Sequence, residues 1–318
     1  MSQTRLGYLY GILAYLCWGL FPLYWRLLRP SGPLELLAQR IVWSLVCVLA
    51  VVAATRTWRR VGTLLRPRML GTIALAAVLI AVNWGTYIYG VNAERVVETS
   101  LGYFINPLIT VLLGVFVLRE RLSRAQWVAI GVGAVAVAVL TVDYGRPPWI
   151  ALVLAVSFGL YGLVKKRLAG MGGERGVPAA DGLALESAVL AVPAAAYLVA
   201  LGLHGGSTVG HVSPAHTALT VASGAVTAIP LLAFAGATNR IPLSGIGLLQ
   251  YLAPILQLGC GVVILHEPMP PARLAGFGLV WLALAVFTWD ALRRLRSANR
   301  MRGVNATAAT PMADVSGR

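Results

Sequence analysis

Charge is what this sequence lacks most. Asp, Glu, Lys and Arg make up 12% of its 318 residues, about half the share of an average soluble domain. Hydrophobic residues reach 58% and mean hydropathy is +0.77, so a water-soluble fold is excluded. Cysteine is also scarce. Cys17, Cys47 and Cys260 lie in apolar text with no C-x-x-C pair, which argues against a disulfide framework or a thiolate metal site. Each reads as a small hydrophobe. The histidines (His204, His211, His216, His266) lie in or near connections without ligand spacing. No H-E-x-x-H, G-x-S-x-G, Walker loop or Cys/His nucleophile pair occurs. No enzyme, cofactor or metal is therefore expected, and any transport has to run on ion or substrate gradients.

Long apolar runs are what the sequence has. A hydrocarbon core about 30 Å thick takes about 20 helical residues. Ten runs fit, near 7–28, 34–54, 69–91, 97–118, 125–142, 149–164, 183–202, 217–236, 243–265 and 273–292. The first follows a single positive residue, Arg5, and is closed by no A-x-A site, so it reads as an uncleaved helix and not a signal peptide. From Ser297 the tail turns polar and Ala/Thr-rich, a composition that reads as disorder.

The net charge of +15 invites a nucleic-acid reading, but the basic residues lie between apolar spans and not along one face. They sort by side instead. With a cytoplasmic N-terminus, 20 of the 26 Lys and Arg residues fall on the cytoplasmic side. The other side keeps only Arg26, Arg29, Arg95, Arg146 and Arg273, and Arg40 falls inside a span. Both termini are expected in the cytoplasm.

The sequence also repeats. A gapless shift of 147 residues sets the fourth span on the ninth: Leu101 on Leu248, Pro107 on Pro254, Gly114 on Gly261, Leu118 on Leu265 and Glu120 on Glu267. Asn92 and Asn239 align just before them, and the match runs on to Val139 and Val286. A shift of 140 sets "CWGLFPL" of the first span on "SFGLYGL" of the sixth. Each unit holds five spans, an odd number, so the second must enter the membrane inverted. The expected fold is all-α and polytopic, two inverted five-helix repeats over 1–143 and 144–292 followed by a basic tail at 293–318. Inverted repeats around a midplane site are the architecture of alternating-access carriers.

Polar groups inside spans mark candidate sites, because a charge near mid-bilayer costs about 2.5–3.5 kcal/mol. Glu35, Gln39 and Trp43 recur every four residues beside Arg40. In "ETSLGYFINPL", Glu98, Gly102 and Asn106 share one face and Tyr103 stands beside them. Asn83, Trp84 and Tyr87 lie in the third span, Glu186 in the seventh, and Gln250, Tyr251 and Gln257 in the ninth. Pro107 removes a backbone bond to the Tyr103 carbonyl and permits a kink, and Pro254 does the same in its own span. Blander roles compete. Glu35 and Glu98 can reach headgroup water or pair with Arg40 or Arg95, Glu186 can be interfacial, and Asn106 and Gln257 can be interhelical glue. Gly131 and Gly133 read as close-packing positions.

Strings such as "ELLAQRIVWS", "LIAVNWGTYIYGVN", "SLGYFINPL", "RERLSRAQWVAI" and "GLLQYLAPILQ" resemble the RarD proteins, in the EamA branch of the drug/metabolite transporter superfamily. The resemblance runs from about Gly7 to Asp290. It implies ten helices in two EamA units, in a bacterial inner membrane, exporting small metabolites or drugs. One position departs: the family often carries His before the arginine of its second helix, and here Gln39 stands there.

The expected function is an alternating-access carrier of a small molecule, coupled to protons or another ion, embedded in the lipid bilayer and without nucleic-acid partners. Glu98 is its expected coupling group. Asn83, Tyr87, Asn106, Gln250 and Tyr251 would bind cargo, Trp84 and Trp43 would wall the site, and Pro107 and Pro254 would bend the gating helices. The rivals are a non-transporting sensor or scaffold, and a lipid-type flippase on the same fold.

Overall fold

The computed structural model describes residues 2–56, 58, 62, 66–119, 122–171, 179–238 and 240–308. Within those residues the chain is helical, with no strand. The helices are α1 (Gln3–Leu27), α2 (Pro33–Ala54), α3 (Pro67–Asn92), α4 (Val96–Leu118), α5 (Arg124–Tyr144), α6 (Trp149–Met171), α7 (Ala179–Leu203), α8 (Pro214–Thr238), α9 (Leu243–Leu249), α10 (Leu252–Gly259) and α11 (Pro271–Ala308). Ten stretches among them are long and apolar enough to cross a membrane. The chain is a multi-pass membrane protein.

Local chemistry sets the boundaries. Pro33 and Pro67 stand in the first turns of α2 and α3, where a missing N–H costs nothing. Ser123 opens α5 with a reciprocal cap: its Oγ accepts from the Gln126 N–H, and the Gln126 side chain accepts from the Ser123 N–H.

Two spans differ from expectation. The ninth is broken at Gln250–Tyr251 into α9 and α10, because Pro254 has no N–H to offer the Gln250 carbonyl. It then closes in a π-helical turn, Cys260–Ile264. The last helix continues past the membrane stretch to Ala308, so the tail expected to be disordered from Ser297 is helical that far. Ala, Leu, Arg and Met in "ALRRLRSANRMR" are strong helix formers and carry it on. Residues 309–318 lie outside the described residues, as do Glu120 and Asn239 of the repeat.

Helices pair across the two halves of the chain. α1 packs on α8 and α10, and α6 on α3 and α4. α2 packs on α7 and α8, α3 on α7, α5 on α11, and α4 on α10. Exchanging α1–α5 for α6, α7, α8, α9–α10 and α11 maps this set onto itself. The offsets of 140 and 147 residues recur in detail. A Cβ on Gly19 would lie 2.6 Å from Leu256, and one on Gly159 would lie 3.6 Å from Ile109 and 2.9 Å from Leu113. Arg119 and His266, 147 residues apart, both adopt left-handed backbone, with φ of 55° and 56°.

Candidate functional site

The turns at 28–32, 93–95, 145–148, 204–213 and 265–270 lie on the face opposite the N-terminus, and they are tied together. After the π turn, Leu265 N–H donates to Cys260 O at 2.8 Å and Glu267 N–H to Gly261 O at 2.9 Å. Left-handed His266 then turns the chain so that the Glu267 carboxylate accepts from Val96 and Val97 N–H at 2.6 and 2.8 Å. It caps α4, where a negative group is favoured by about 0.3–1 kcal/mol and up to about 2 when partly buried. Glu98, 1% exposed, accepts from Ile150 N–H and from Arg146, each at 3.0 Å, and from Arg95. Arg273 donates to Asp143 at 2.8 Å. Arg26 and Arg29 pair with Glu94 at 3.5 and 3.2 Å, and Asn92 donates to Ser31 O at 3.2 Å. Glu35 accepts from Thr208 N–H at 2.8 Å, and His216 Nε2 sits 3.0 Å from Ser31 Oγ and 3.1 Å from Leu28 O. All five arginines of the basic-poor face are therefore matched by carboxylates.

Deeper in the bundle the arrangement reverses. Arg40 on α2 is 3% exposed, and its neighbours are aromatic faces. Its guanidinium carbon lies 3.9 Å from the Trp84 ring centroid, 5.2 Å from Trp25 and 5.7 Å from Phe21. Tyr87 and Tyr103 stand close enough to interact with its charge, and their own rings meet edge to face at 5.9 Å. Among the described residues Arg40 makes no ion pair, and its Nε has no hydrogen-bond partner. A desolvated cation–π contact contributes about 2 kcal/mol, against about 2.5–3.5 kcal/mol for placing the charge in a span. The cage offsets much of that cost but accepts none of the N–H protons. Trp25 Nε1, Ser44 Oγ (one turn beyond Arg40) and Tyr87 OH are also buried without partners among the described residues.

The structure does not gather the remaining sequence candidates at one place. Asn83 donates to Leu154 O at 3.0 Å and Ser157 Oγ at 3.1 Å, and Tyr103 OH reaches its Oδ1 at 3.4 Å, so it ties α3, α4 and α6. Gln39 accepts from Trp43 Nε1 at 3.0 Å. Trp43 packs its backbone on Gly224 of α8, where any Cβ would collide with the Trp43 carbonyl. Among the described residues Asn106 has one hydrogen-bond partner, its neighbour Thr110, which donates to it at 3.5 Å. Glu186 lies apart, held by Lys165 at 2.7 Å and Tyr161 at 3.0 Å. Gln250 and Tyr251 occupy the break in the ninth span, half-buried. Pro107 sits within unbroken α4. Gln257 donates to Trp18 O at 3.0 Å, as glue would. Gly133 closes on Leu108, whereas Gly131 faces open space, which corrects its reading as a packing position: a Cβ there would meet nothing within 4 Å among the described residues.

The sequence reading missed Phe21, Trp25, Arg146 and Glu267 as site residues. Glu267 carried a signal, since it is one of the repeat's matched acids. Arg146 carried another, because an arginine on the basic-poor face calls for a partner.

The sequence profile of the EamA-like transporter family matches residues 5–142. Protein RarD of Streptomyces exfoliatus is 56% identical over 93% of this chain and 92% of its own length. The chain belongs to the RarD group of the EamA-like transporter family. An uncharacterized transporter of Bacillus subtilis, YojE, is 39% identical to this RarD-group chain over 93% of it and 98% of the relative. Protein RarD of Escherichia coli is 36% identical over 94% and 99%. A solved crystal structure superposes on 91% of this chain and 99% of its own with a TM-score of 0.59 at 21% identity, a likeness of fold alone. Membership of this transporter family implies a small-molecule substrate, and the chemistry of this chain has to be read from its own residues.

Proposed function

We propose that this protein is a secondary carrier that exports a small molecule by alternating access between two inverted five-helix units, 1–143 and 144–292. The N-terminal face is cytoplasmic, and the cargo passes the Arg40, Trp84, Tyr87 and Tyr103 cluster of the first unit. One observation carries the reading: carboxylates from each half close the opposite face against the other half. Glu267 caps α4 from the second unit, and Glu98 caps α6 from the first. Such a face is a closed gate, held by groups that release together. Protonation of Glu98 from outside removes the charge that holds Arg95 and Arg146, so gate opening and proton entry reside in one group. The profile bounds of 5–142 and the self-mapping helix contacts support the two-unit division.

The test compares extracellular small molecules, by mass spectrometry, from cells lacking the gene, carrying it, and carrying Glu98→Gln. A compound enriched outside only with the intact protein supports export and names the cargo. No difference among the three under cargo-rich growth sinks the export reading. Topology is checked separately with reporter fusions at Arg302 and in the 204–213 turn, which have to report opposite sides.

A further inference from the structure

We infer that the Arg40 cage is the seat for the carboxylate of an organic acid, so that the cargo is a small monocarboxylate with an apolar, ring-bearing body. The inference deepens the carrier reading and rests on it. Three observations carry it. First, a guanidinium carries its charge at neutral pH, and no carboxylate among the described residues pairs with it. The chain has 11 acidic residues, of which eight are described, and every one of these is engaged elsewhere. Glu35, Glu94, Glu98, Asp143, Glu186 and Glu267 hold the partners given above, Ser123 donates to Asp290 at 2.9 Å, and Asp181 has a partner too.

Second, the buried Nε of the cation has no hydrogen-bond partner among the described residues. The Trp84 ring centroid lies 3.9 Å from the guanidinium carbon, a distance at which arginine stacks on an aromatic face. The N–H donors lie in the plane of the guanidinium, and a carboxylate is the acceptor that takes two of them in parallel. Third, the surroundings fit the rest of such a molecule. Trp25, Phe21, Trp84, Tyr87 and Tyr103 offer ring faces, and the unpartnered Trp25 Nε1 and Tyr87 OH are donors suited to an anion. A purely structural arginine would instead end on the chain's own acceptors.

The experiment measures binding directly, by tryptophan fluorescence and calorimetry on full-length protein in lipid nanodiscs. The probes are phenylacetate, indole-3-acetate, phenylacetamide, 2-phenylethylamine and phenyl phosphate. The expected result is binding of at least one carboxylate, at least tenfold tighter than phenylacetamide, with no binding of the amine. Arg40→Gln should abolish that difference, and Arg40→Lys should lose most of it, because a lysine cannot grip two oxygens in one plane. Thermal unfolding of Arg40→Gln should match or exceed the wild type, since the cation–π contacts it loses are outweighed by the cost of holding the charge in the span. A sharp fall in its stability makes Arg40 structural and overturns the inference. So does the absence of any carboxylate binding at 10 mM, on the order of the weakest useful affinity, or a preference for phenyl phosphate. Carboxylate binding that needs Arg40 without export leaves this site standing and removes the carrier reading. Export of a neutral or cationic compound unchanged by Arg40→Gln does the reverse.

Discussion

Glu267 and Glu98 bracket the same helix start from opposite halves of the chain. Glu267 accepts from Val96 and Val97 N–H at 2.6 and 2.8 Å, and Glu98, the next residue along, accepts from Ile150 N–H at 3.0 Å. Three consecutive positions thus connect the turn at 265–270, the start of α4 and the start of α6. Closure of this face is concentrated there, and single substitutions should loosen it.

Glu267→Gln keeps the size of the side chain but removes its charge and one of its two acceptor oxygens. One of the two amides then faces an NH2 group. The cost of an orphaned buried donor is about 1–3 kcal/mol, so the protein should fold and unfold at lower temperature. With Cys17, Cys47 and Cys260 replaced, a cysteine at Val97 should react faster with a membrane-impermeant thiol reagent in this variant. Unchanged melting and unchanged labelling would show that the cap does not hold the gate.

Glu98→Gln should abolish transport and leave membrane insertion intact. Its neutral amide keeps an acceptor for Ile150 N–H but loses the charge that holds Arg95 and Arg146. Arg146→Gln should be milder, because Arg95 remains and because Arg146 is 37% exposed, where an ion pair contributes only about 0–1 kcal/mol. Full transport by Glu98→Gln removes Glu98 from the mechanism.

Much of the frame could be read from the sequence. The ten spans are runs of neighbours in the chain, so they were open to inspection. The partners were not. Glu98 finds Arg95 three residues away, as expected, but its other donors are Arg146, in the turn between α5 and α6, and Ile150, at the start of α6. Arg40 was visible as an in-span charge, whereas its cage is assembled from Phe21 and Trp25 of α1 and Trp84 of α3. The π turn that aims Glu267 has no sequence signature either. It forms where Gly261 lets the chain approach Val97, with a Cβ there only 3.0 Å from the valine side chain.

Asn83→Val should be tolerated. Hydrogen bonds between membrane helices average about 0.6 kcal/mol and reach about 1.7, and Asn83 makes two to α6 while accepting weakly from Tyr103. The loss should therefore stay near 1–2 kcal/mol in unfolding experiments. Cargo affinity should shift more than stability, since Tyr103 would be released beside Arg40. Loss of folding would mean that α3 and α6 depend on this side chain far more than the average predicts.

The two glycines Gly224 and Gly131 separate close packing from mere helix flexibility. In a helix, Gly→Ala is favourable by about 0.8–1 kcal/mol from backbone propensity alone, and that gain is available at both sites. At Gly131 a Cβ meets nothing within 4 Å, so Gly131→Ala should raise the melting temperature or leave it unchanged. At Gly224 the same Cβ would collide with the carbonyl and Cβ of Trp43, and backbone cannot swing aside as a side chain can. Overpacking costs about 1–3 kcal/mol and sometimes more, enough to outweigh the gain. Gly224→Ala should then force α8 away from α2, loosen the wall behind Gln39 and Trp43, and lower stability. Gly224→Val should fail to fold. Melting curves of the alanine pair decide the point: a fall for Gly224→Ala without one for Gly131→Ala locates the α2–α8 contact as a backbone-level fit, and a stabilised Gly224→Ala would show that these helices do not meet there.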